Sequence, residues 1–361
     1  MPEPRILRFA DAVNEALDLA LERDPRVWVL GEGVADPRAI FGTTRGLAAK
    51  YGLDRVMETP VAENGMTGIA LGAALMGERP VIVHQRVDFS LYSFDQLINN
   101  CAKWLYMSGG KASVPVVVRM VVGRGWGQGP QHSQSLESVF AHIPGLKVVM
   151  PVTAGDAKAM LLGAIEDPNP VIFIEHRWLH GLSGAVAEGW APLPLSAGPR
   201  LARPGEHVTI AATSYMVIEA LAAAEALAAV GISAEIVDIR VLRPLDDRPI
   251  IESVERTGAL LCVDTGWQTC GFGAEVVARV VEKAFPCLKA APRRLGCPDH
   301  PSPASRSLTQ SFYPRAEDIF DAVLGILGRD DSAARQAAAT FRQARRSVAL
   351  DQPDPAFTGP F

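Results

Sequence analysis

Residues 63–85, ENGMTGIALGAALMGERPVIVHQ, run from a helix crowded with small residues (Gly65 to Gly77) straight into an apolar strand, Pro80-Val81-Ile82-Val83. The same alternation extends to both sides. Upstream, Phe9 to Arg23 places Val13, Leu17, Ala20 and Leu21 on one face, a helical period. Pro25 follows its end, and Val27-Trp28-Val29-Leu30 reads as a short buried strand. Downstream, the helix Phe94 to Tyr106 precedes Val114-Pro115-Val116-Val117-Val118. The strand Val148-Val149-Met150 precedes the helix Ala154 to Glu166, and Val171-Ile172-Phe173-Ile174 closes the series. Short apolar strands alternating with helices predict an α/β fold built on a parallel, doubly wound sheet.

Around residues 186–206 the pattern breaks into VAEGWAPLPLSAGPRLARPGE, rich in Pro and Gly, which reads as a domain linker. Alternation then resumes: strand Val208 to Ala212, helix Tyr215 to Val230, strand Ala234 to Ile239, helix Pro249 to Thr257, strand Ala259 to Val263 and helix Ala274 to Lys283. The chain therefore divides into a first doubly wound domain (1–185), a linker (186–206), a second, smaller one (207–328) and a tail (329–361). The tail reads as a surface helix followed by an extended arm, lying on another subunit or frayed.

With 361 residues, 48% of them hydrophobic, the chain has enough apolar side chains for two cores. A formal net charge of −5 with no basic stripe argues against a nucleic-acid or anionic-membrane binder. No stretch approaches the length of an apolar membrane span, and the N-terminus does not read as a signal peptide. The cysteines (101, 262, 270, 287 and 297) form no CxxC pair, so reduced thiols in a cytoplasmic protein are the simplest reading.

Three clusters carry candidate chemistry. Glu63 opens the small-residue helix, where a carboxylate is either a helix-start residue favoured by the dipole or a chemical group. Gly68 and Gly72, four apart, give that helix a face another helix can approach closely, within the subunit or across an interface. The second cluster, VVGRGWGQGPQHSQS (121–135), is a glycine-rich loop ending near His132 and lacks the helix-opening dinucleotide pattern. A lone histidine there is either structural or catalytic. The third, HQRVDFSLYSFDQ (84–96), puts Gln85, Arg86, Asp88 and Phe89 at the carboxyl end of a parallel strand, where open α/β sheets place ligands. A polar strand end facing solvent would look the same.

Five segments, taken in order, carry a family resemblance: ALDLALERDPRVWVLGEGV, TPVAENGMTGIALGAAL, FDQLINNCAKWLYMSGG, GPQHSQSLESVFAHIPGLKVVMP and DAKAMLLGAIEDPNPVIFIEHRWLHG. They resemble the beta subunits of the 2-oxo acid dehydrogenase decarboxylating components, over roughly residues 5–325. That family includes pyruvate, branched-chain and acetoin dehydrogenase components. The resemblance implies a pyrimidine-binding domain followed by a transketolase C-terminal-type domain. It also implies thiamine diphosphate bound between alpha and beta chains of an α₂β₂ heterotetramer, and a lipoyl acyltransferase component as acceptor. Glu63 matches the glutamate that hydrogen-bonds the cofactor's aminopyrimidine ring, and Phe89 matches the aromatic residue that packs on that ring. Glu32 and Gln85 resemble further cofactor contacts, and His132 matches the histidine facing the substrate. Val116, Ala164, Ile165, Asp167 and Asn169 match a structural loop for a monovalent cation such as K⁺, liganded chiefly by backbone carbonyls.

The chain contains no Gly-Asp-Gly, the segment with which thiamine enzymes hold the diphosphate through Mg²⁺. A divalent ion needs oxygen ligands to be held, so the Mg²⁺ ligands are expected from the alpha subunit. Arg86 departs from the family, standing where its members carry an apolar residue, and Arg124, Trp126 and Gln128 enlarge and polarise the neighbouring loop. With Asp88 poorly placed as an internal partner, Arg86 is expected to favour a substrate bearing a polar group. The leading expectation is oxidative decarboxylation of a 2-oxo acid with acyl transfer to a lipoyl domain. The alternative is acetoin cleavage, or ketol or acyl transfer, on the same scaffold. A non-catalytic scaffolding or regulatory paralogue is disfavoured by Glu63, Phe89 and His132 standing together.

Overall fold

The computed structural model describes residues 5–36, 39–123 and 128–346. Arg124, Trp126 and the tail beyond 346, all singled out in the sequence, lie outside them.

The first sheet has seven strands in the order Val241–Arg243, Lys147–Val149, Val171–His176, Val117–Val122, Arg79–His84, Val27–Gly31 and Val56–Glu58. All are parallel except Val241–Arg243, which pairs antiparallel with Lys147–Val149. The alternation of side chains along each strand sorts them into two cores. Val81, Val83 and Phe173 enter one, while Ile82, Met120, Ile172 and Ile174 enter the other. Helices Phe9–Arg23 and Ala154–Glu166 pack together on the first face. The helix Glu63–Leu75 packs on the second through Met66, Ala70, Leu71 and Ala74.

The second sheet has the order Arg293–Cys297, Leu260–Trp267, Val208–Ala212, Ala234–Asp238 and Arg200–Arg203, the last antiparallel. Both cores run on into this unit: Ile210 and Ala212 join the first, Ala211 and Val237 the second.

Three differences from the sequence reading have physical causes. The stretch read as a bare linker holds the edge strand Arg200–Arg203, whose flanking arginines hide its apolar signal. That stretch also lies directly on the first domain, since a Cβ at Gly163 would sit 2.1 Å from the carbonyl oxygen of Leu193. The strand expected at Val114 to Val118 begins instead at Val117, because Pro115 has no N–H for a sheet ladder. It continues through Arg119, a charge tolerated in a buried strand because Glu175 accepts its Nε hydrogen bond at 2.7 Å. Third, Val241–Arg243 lies in sequence within the second unit but completes the first unit's sheet. In the tail, the helix Ser332–Arg345 packs Phe341 against Phe320, and Arg345 donates to buried Glu219 at 2.8 Å.

The seam between the two sheets carries a buried carboxyl group. Glu137, fully buried, accepts hydrogen bonds from Ser135 Oγ at 2.7 Å and from Thr265 Oγ1 at 3.2 Å. Burial, reinforced by the nearby Asp264 carboxylate, pushes Glu137 up to about 8. The unfolded carboxyl releases its proton near 4.5 and the folded one near 8, so folding takes up a proton between those values. Stability falls as pH rises through that window. Buried His84 and His176, depressed to about 4 and about 3 by burial, act in the opposite sense at lower pH. Comparing wild type with Glu137→Gln cancels them. The Tm of Glu137→Gln relative to wild type should climb by about 3 °C or more between pH 6 and 9. A constant difference would mean that Glu137 is ionised in the folded chain.

Candidate active site

The carboxyl ends of the parallel strands Val27–Gly31, Val56–Glu58, Arg79–His84, Val117–Val122 and Val171–His176 lie along one edge of the first sheet. Helices cover both faces, so this edge is where the backbone opens toward a ligand.

Glu32 follows the first of these strands. Glu58 accepts from the backbone N–H groups of Gly33 and, at 3.1 Å, of Ala35, which shapes the turn after Glu32. Gln85 Nε2 donates to the Glu32 carbonyl at 3.1 Å. The backbone of Glu32 is thus tied down, while its Oε1 is buried without a hydrogen-bond partner. Burial, then the charges of Glu63 and Glu58, push the Glu32 carboxyl above its usual range.

Glu63 is the first residue of its helix and only 7% exposed. Thr67 Oγ1 and Ser93 Oγ donate to its carbonyl at 2.7 and 2.9 Å, fixing the helix start. Its carboxylate meets no hydrogen-bond donor among the described residues. Two neighbouring carboxylates, buried or half-buried and short of donors, form an acceptor site awaiting N–H or O–H groups.

Phe89 stands half-buried in the 3₁₀ turn Val87–Ser93, and His132 meets it edge to face, with ring centroids 5.4 Å apart. His132 is exposed at the mouth. Gln134, two residues on, donates to Asp88 Oδ1 at 2.8 Å and so ties the His132 loop to the Phe89 turn. The other Asp88 oxygen is buried and unpartnered, and burial raises that carboxyl. Arg86 does not pair with Asp88. Its guanidinium donates to the Gly123 carbonyl and, at 2.5 Å, to the side-chain oxygen of Gln128.

The structure therefore brings Glu32, Glu63, Gln85, Arg86, Asp88, Phe89 and His132 to one edge. It adds residues that sequence reasoning passed over. His176 stacks on Tyr215 with centroids 5.2 Å apart, and a Cβ at Gly123 would meet its ring at 2.5 Å, so only glycine fits there. Phe41 lies over two guanidiniums, those of Arg86 and Arg177. A signal was present: Glu175-His176-Arg177 follows an apolar strand just as His84-Gln85-Arg86 does. Phe41 had none, since its position depends on a left-handed backbone at Ile40 and Phe41 (φ 45° and 59°).

The proposed cation loop gathers at the opposite, amino edge of the sheet. The Val116 carbonyl accepts from Val171 N at 2.9 Å, and the Ala164 carbonyl from Asp167 N at 3.3 Å. Arg79 Nη1 donates to the carbonyls of Ile165 at 2.6 Å and Asp167 at 3.4 Å. Asn169 N donates to Asp167 Oδ1 at 2.9 Å. Each carbonyl keeps a second lone pair for a monovalent cation, but Arg79 and Lys147, the latter ion-paired with Asp167, already place positive charge beside the set. Among the described residues, no group of three or more His, Cys, Asp or Glu side chains could hold a metal ion.

Comparison with known proteins bears on the whole chain. Residues 7–181 match the transketolase pyrimidine-binding domain, and residues 199–319 match the transketolase C-terminal domain. The beta subunit of acetoin:2,6-dichlorophenolindophenol oxidoreductase from Cupriavidus necator is 44% identical over 87% of this chain and 96% of its own length. The mitochondrial pyruvate dehydrogenase E1 component subunit beta of Drosophila melanogaster is 42% identical, covering 88% of each chain. Among solved structures, a split-gene transketolase described as an inactive beta4 tetramer superposes with a TM-score of 0.71 at 24% identity, over 90% of this chain and 99% of that one. Transketolase from Leishmania mexicana gives 0.65 at 16%, over 90% and 46%. These two share the fold. With two transketolase-type domains in order and relatives of this similarity along nearly its whole length, the chain belongs to the beta-subunit family of the 2-oxo acid dehydrogenase decarboxylating components.

Proposed function

We propose that this chain is the beta subunit of a thiamine-diphosphate-dependent 2-oxo acid dehydrogenase, decarboxylating a 2-oxo acid oxidatively and passing the acyl group to a lipoyl domain. The observation that carries this reading is the Glu63 carboxylate, buried without a donor near Glu32, on the sheet edge that also carries the Phe89–His132 pair. When bound, thiamine diphosphate supplies the carbon nucleophile and electron sink for decarboxylation. Glu63 would accept the ring N–H of the aminopyrimidine and hold the proton that sets its tautomer. Phe89 would offer the ring an apolar face, while Gln85 and the Glu32 turn frame the pocket. His132, at the exposed mouth, would exchange a proton with the reacting acid and face the incoming acyl acceptor. At the other edge, a K⁺ ion would sit among the carbonyls of Val116, Ala164, Ile165 and Asp167, beside Asn169.

The diphosphate half requires an alpha-type partner, which would bring the Mg²⁺ ligands and complete an α₂β₂ assembly. An open small-residue face suits such docking. Gly65 and Gly72 are exposed on the helix that begins with Glu63, flanked by Val61, Ile69 and Met76 at 79%, 64% and 86% exposure. All the cysteines are free thiols, the form a reducing cytoplasm preserves, and no described helix is long and apolar enough to cross a membrane. A second reading, acetoin cleavage with electrons passed to an acceptor dye, draws on the Cupriavidus necator relative. Incubating the assembled complex with a lipoyl domain and a 2-oxo acid, against acetoin with the dye, decides between them.

Two outcomes are expected. The isolated chain should bind thiamine diphosphate weakly or not at all, and co-expression with its alpha partner should confer tight, Mg²⁺-dependent binding. Micromolar binding to the isolated chain in a calorimeter would overturn the shared-site reading. Glu63→Gln should assemble normally, yet lose about 10²–10⁴-fold in activity, the range for a positioned acid–base group. Turnover within about threefold of wild type would leave Glu63 as a helix-start residue only.

A further inference from the structure

We propose that Arg86 is a specificity-determining residue, and that the site takes a 2-oxo acid carrying a second negative charge at its far end. This rests on the decarboxylating function proposed above and names its substrate class.

Arg86 and Phe89 spring from one turn, since Phe89 N donates to the Arg86 carbonyl at 3.2 Å. The two residues thus leave the same strand end, Phe89 toward the place expected for the cofactor and the Arg86 guanidinium toward Gly123 and Gln128. It is only 3% exposed, and both of its hydrogen-bond acceptors, the Gly123 carbonyl and the Gln128 amide, are neutral. No carboxylate among the described residues lies within ion-pair distance of it. Asp88, two residues away, gives one oxygen to Gln134 and acts on Arg86 only through space, without a hydrogen bond or ion-pair contact. His176, packed against Gly123 nearby, is kept neutral by burial and brings no charge. A desolvated cation held by neutral acceptors alone is a costly arrangement.

The surroundings are built around that charge. The Phe41 ring lies 5.5 Å from the Arg86 guanidinium and 4.3 Å from that of Arg177, both within cation–π range. Ile40 and Phe41 hold a left-handed backbone to place that ring, a conformation that β-branched and aromatic residues rarely adopt. Gln128 is the acceptor a ligand can replace, because it lies on the loop leading to His132 at the mouth. A carboxylate or phosphate oxygen there would exchange a neutral hydrogen bond for a charge-assisted, forked one.

The test uses the assembled alpha–beta complex with thiamine diphosphate, Mg²⁺ and an artificial electron acceptor. Expected is a kcat/KM for 2-oxoglutarate about tenfold or more above those for pyruvate and 2-oxoisovalerate. Arg86→Met should collapse that ratio through KM for the dicarboxylic acid. Gln128→Glu, which gives Arg86 an internal counter-ion, should collapse it too and decides the matter if the first variant does not fold. A wild-type preference for either apolar acid, or a ratio unmoved in both variants, overturns the proposal. Calorimetry with glutarate and butyrate, neither of which can be decarboxylated, provides a second arm. Wild type should bind glutarate about tenfold more tightly, and Arg86→Met should erase the difference; equal binding by wild type overturns the proposal. If glutarate is preferred but no 2-oxo acid turns over, the decarboxylating function fails while anion selection by Arg86 stands.

Discussion

A parallel sheet buried on both faces saturates its own backbone hydrogen bonds and hides nearly every side chain along its length. In this chain that constraint leaves the carboxyl edge as the place where polar groups converge from several strands. Glu32, Gln85, Arg86, Asp88, Gly123 and His176 all stand within a few residues of a strand end, and they come from the ends of four different strands. The precision of the site is therefore that of the ladder beneath it. Arg119, Glu175 and His180 show how strictly that ladder is kept. Burial works against ionisation of Glu175, yet Arg119 and His180 hold its carboxyl below the usual range. A buried Arg–Glu pair between strands, with His180 hydrogen-bonded to the glutamate, adds little stability over apolar packing, but it is intolerant of a missing member.

The alternation of small-residue helices with valine- and isoleucine-rich strands was enough to read the fold class, and the helices Phe9–Arg23 and Ala154–Glu166 were read to the residue. Short or arginine-bearing strands were not legible. Val56–Glu58, Arg200–Arg203 and Arg293–Cys297 carry too few apolar side chains to announce a period of two. The helix expected over Phe94 to Tyr106 is split into a π-helical part, Asp95–Cys101, and an α-helical part, Ala102–Met107. Hydrophobic spacing does not distinguish the two windings.

For the site, position at a strand end pointed to one edge of the sheet, and the family motifs narrowed the choice of residues there. Neither could show which donors and acceptors meet in space. The direction of Arg86, turned toward Gly123 and Gln128, depends on a loop from another strand. Phe41 reaches the site through two left-handed residues in a segment without periodicity. The raised carboxyl of Glu137 depends first on its burial at the seam and then on Asp264, 127 residues away in sequence.

The strand Val241–Arg243 has a consequence for anyone wishing to take the protein apart. It belongs by sequence to the second unit and by hydrogen bonding to the first. A gene fragment ending in the Pro-rich stretch would yield a first module whose Lys147–Val149 strand has a naked edge, the kind of surface that recruits foreign strands into aggregates. Chimeras that exchange whole C-terminal modules between relatives would import this strand along with the module. Their success would then hinge on whether a borrowed Val241 and Arg243 register against a resident Val149 and Val148.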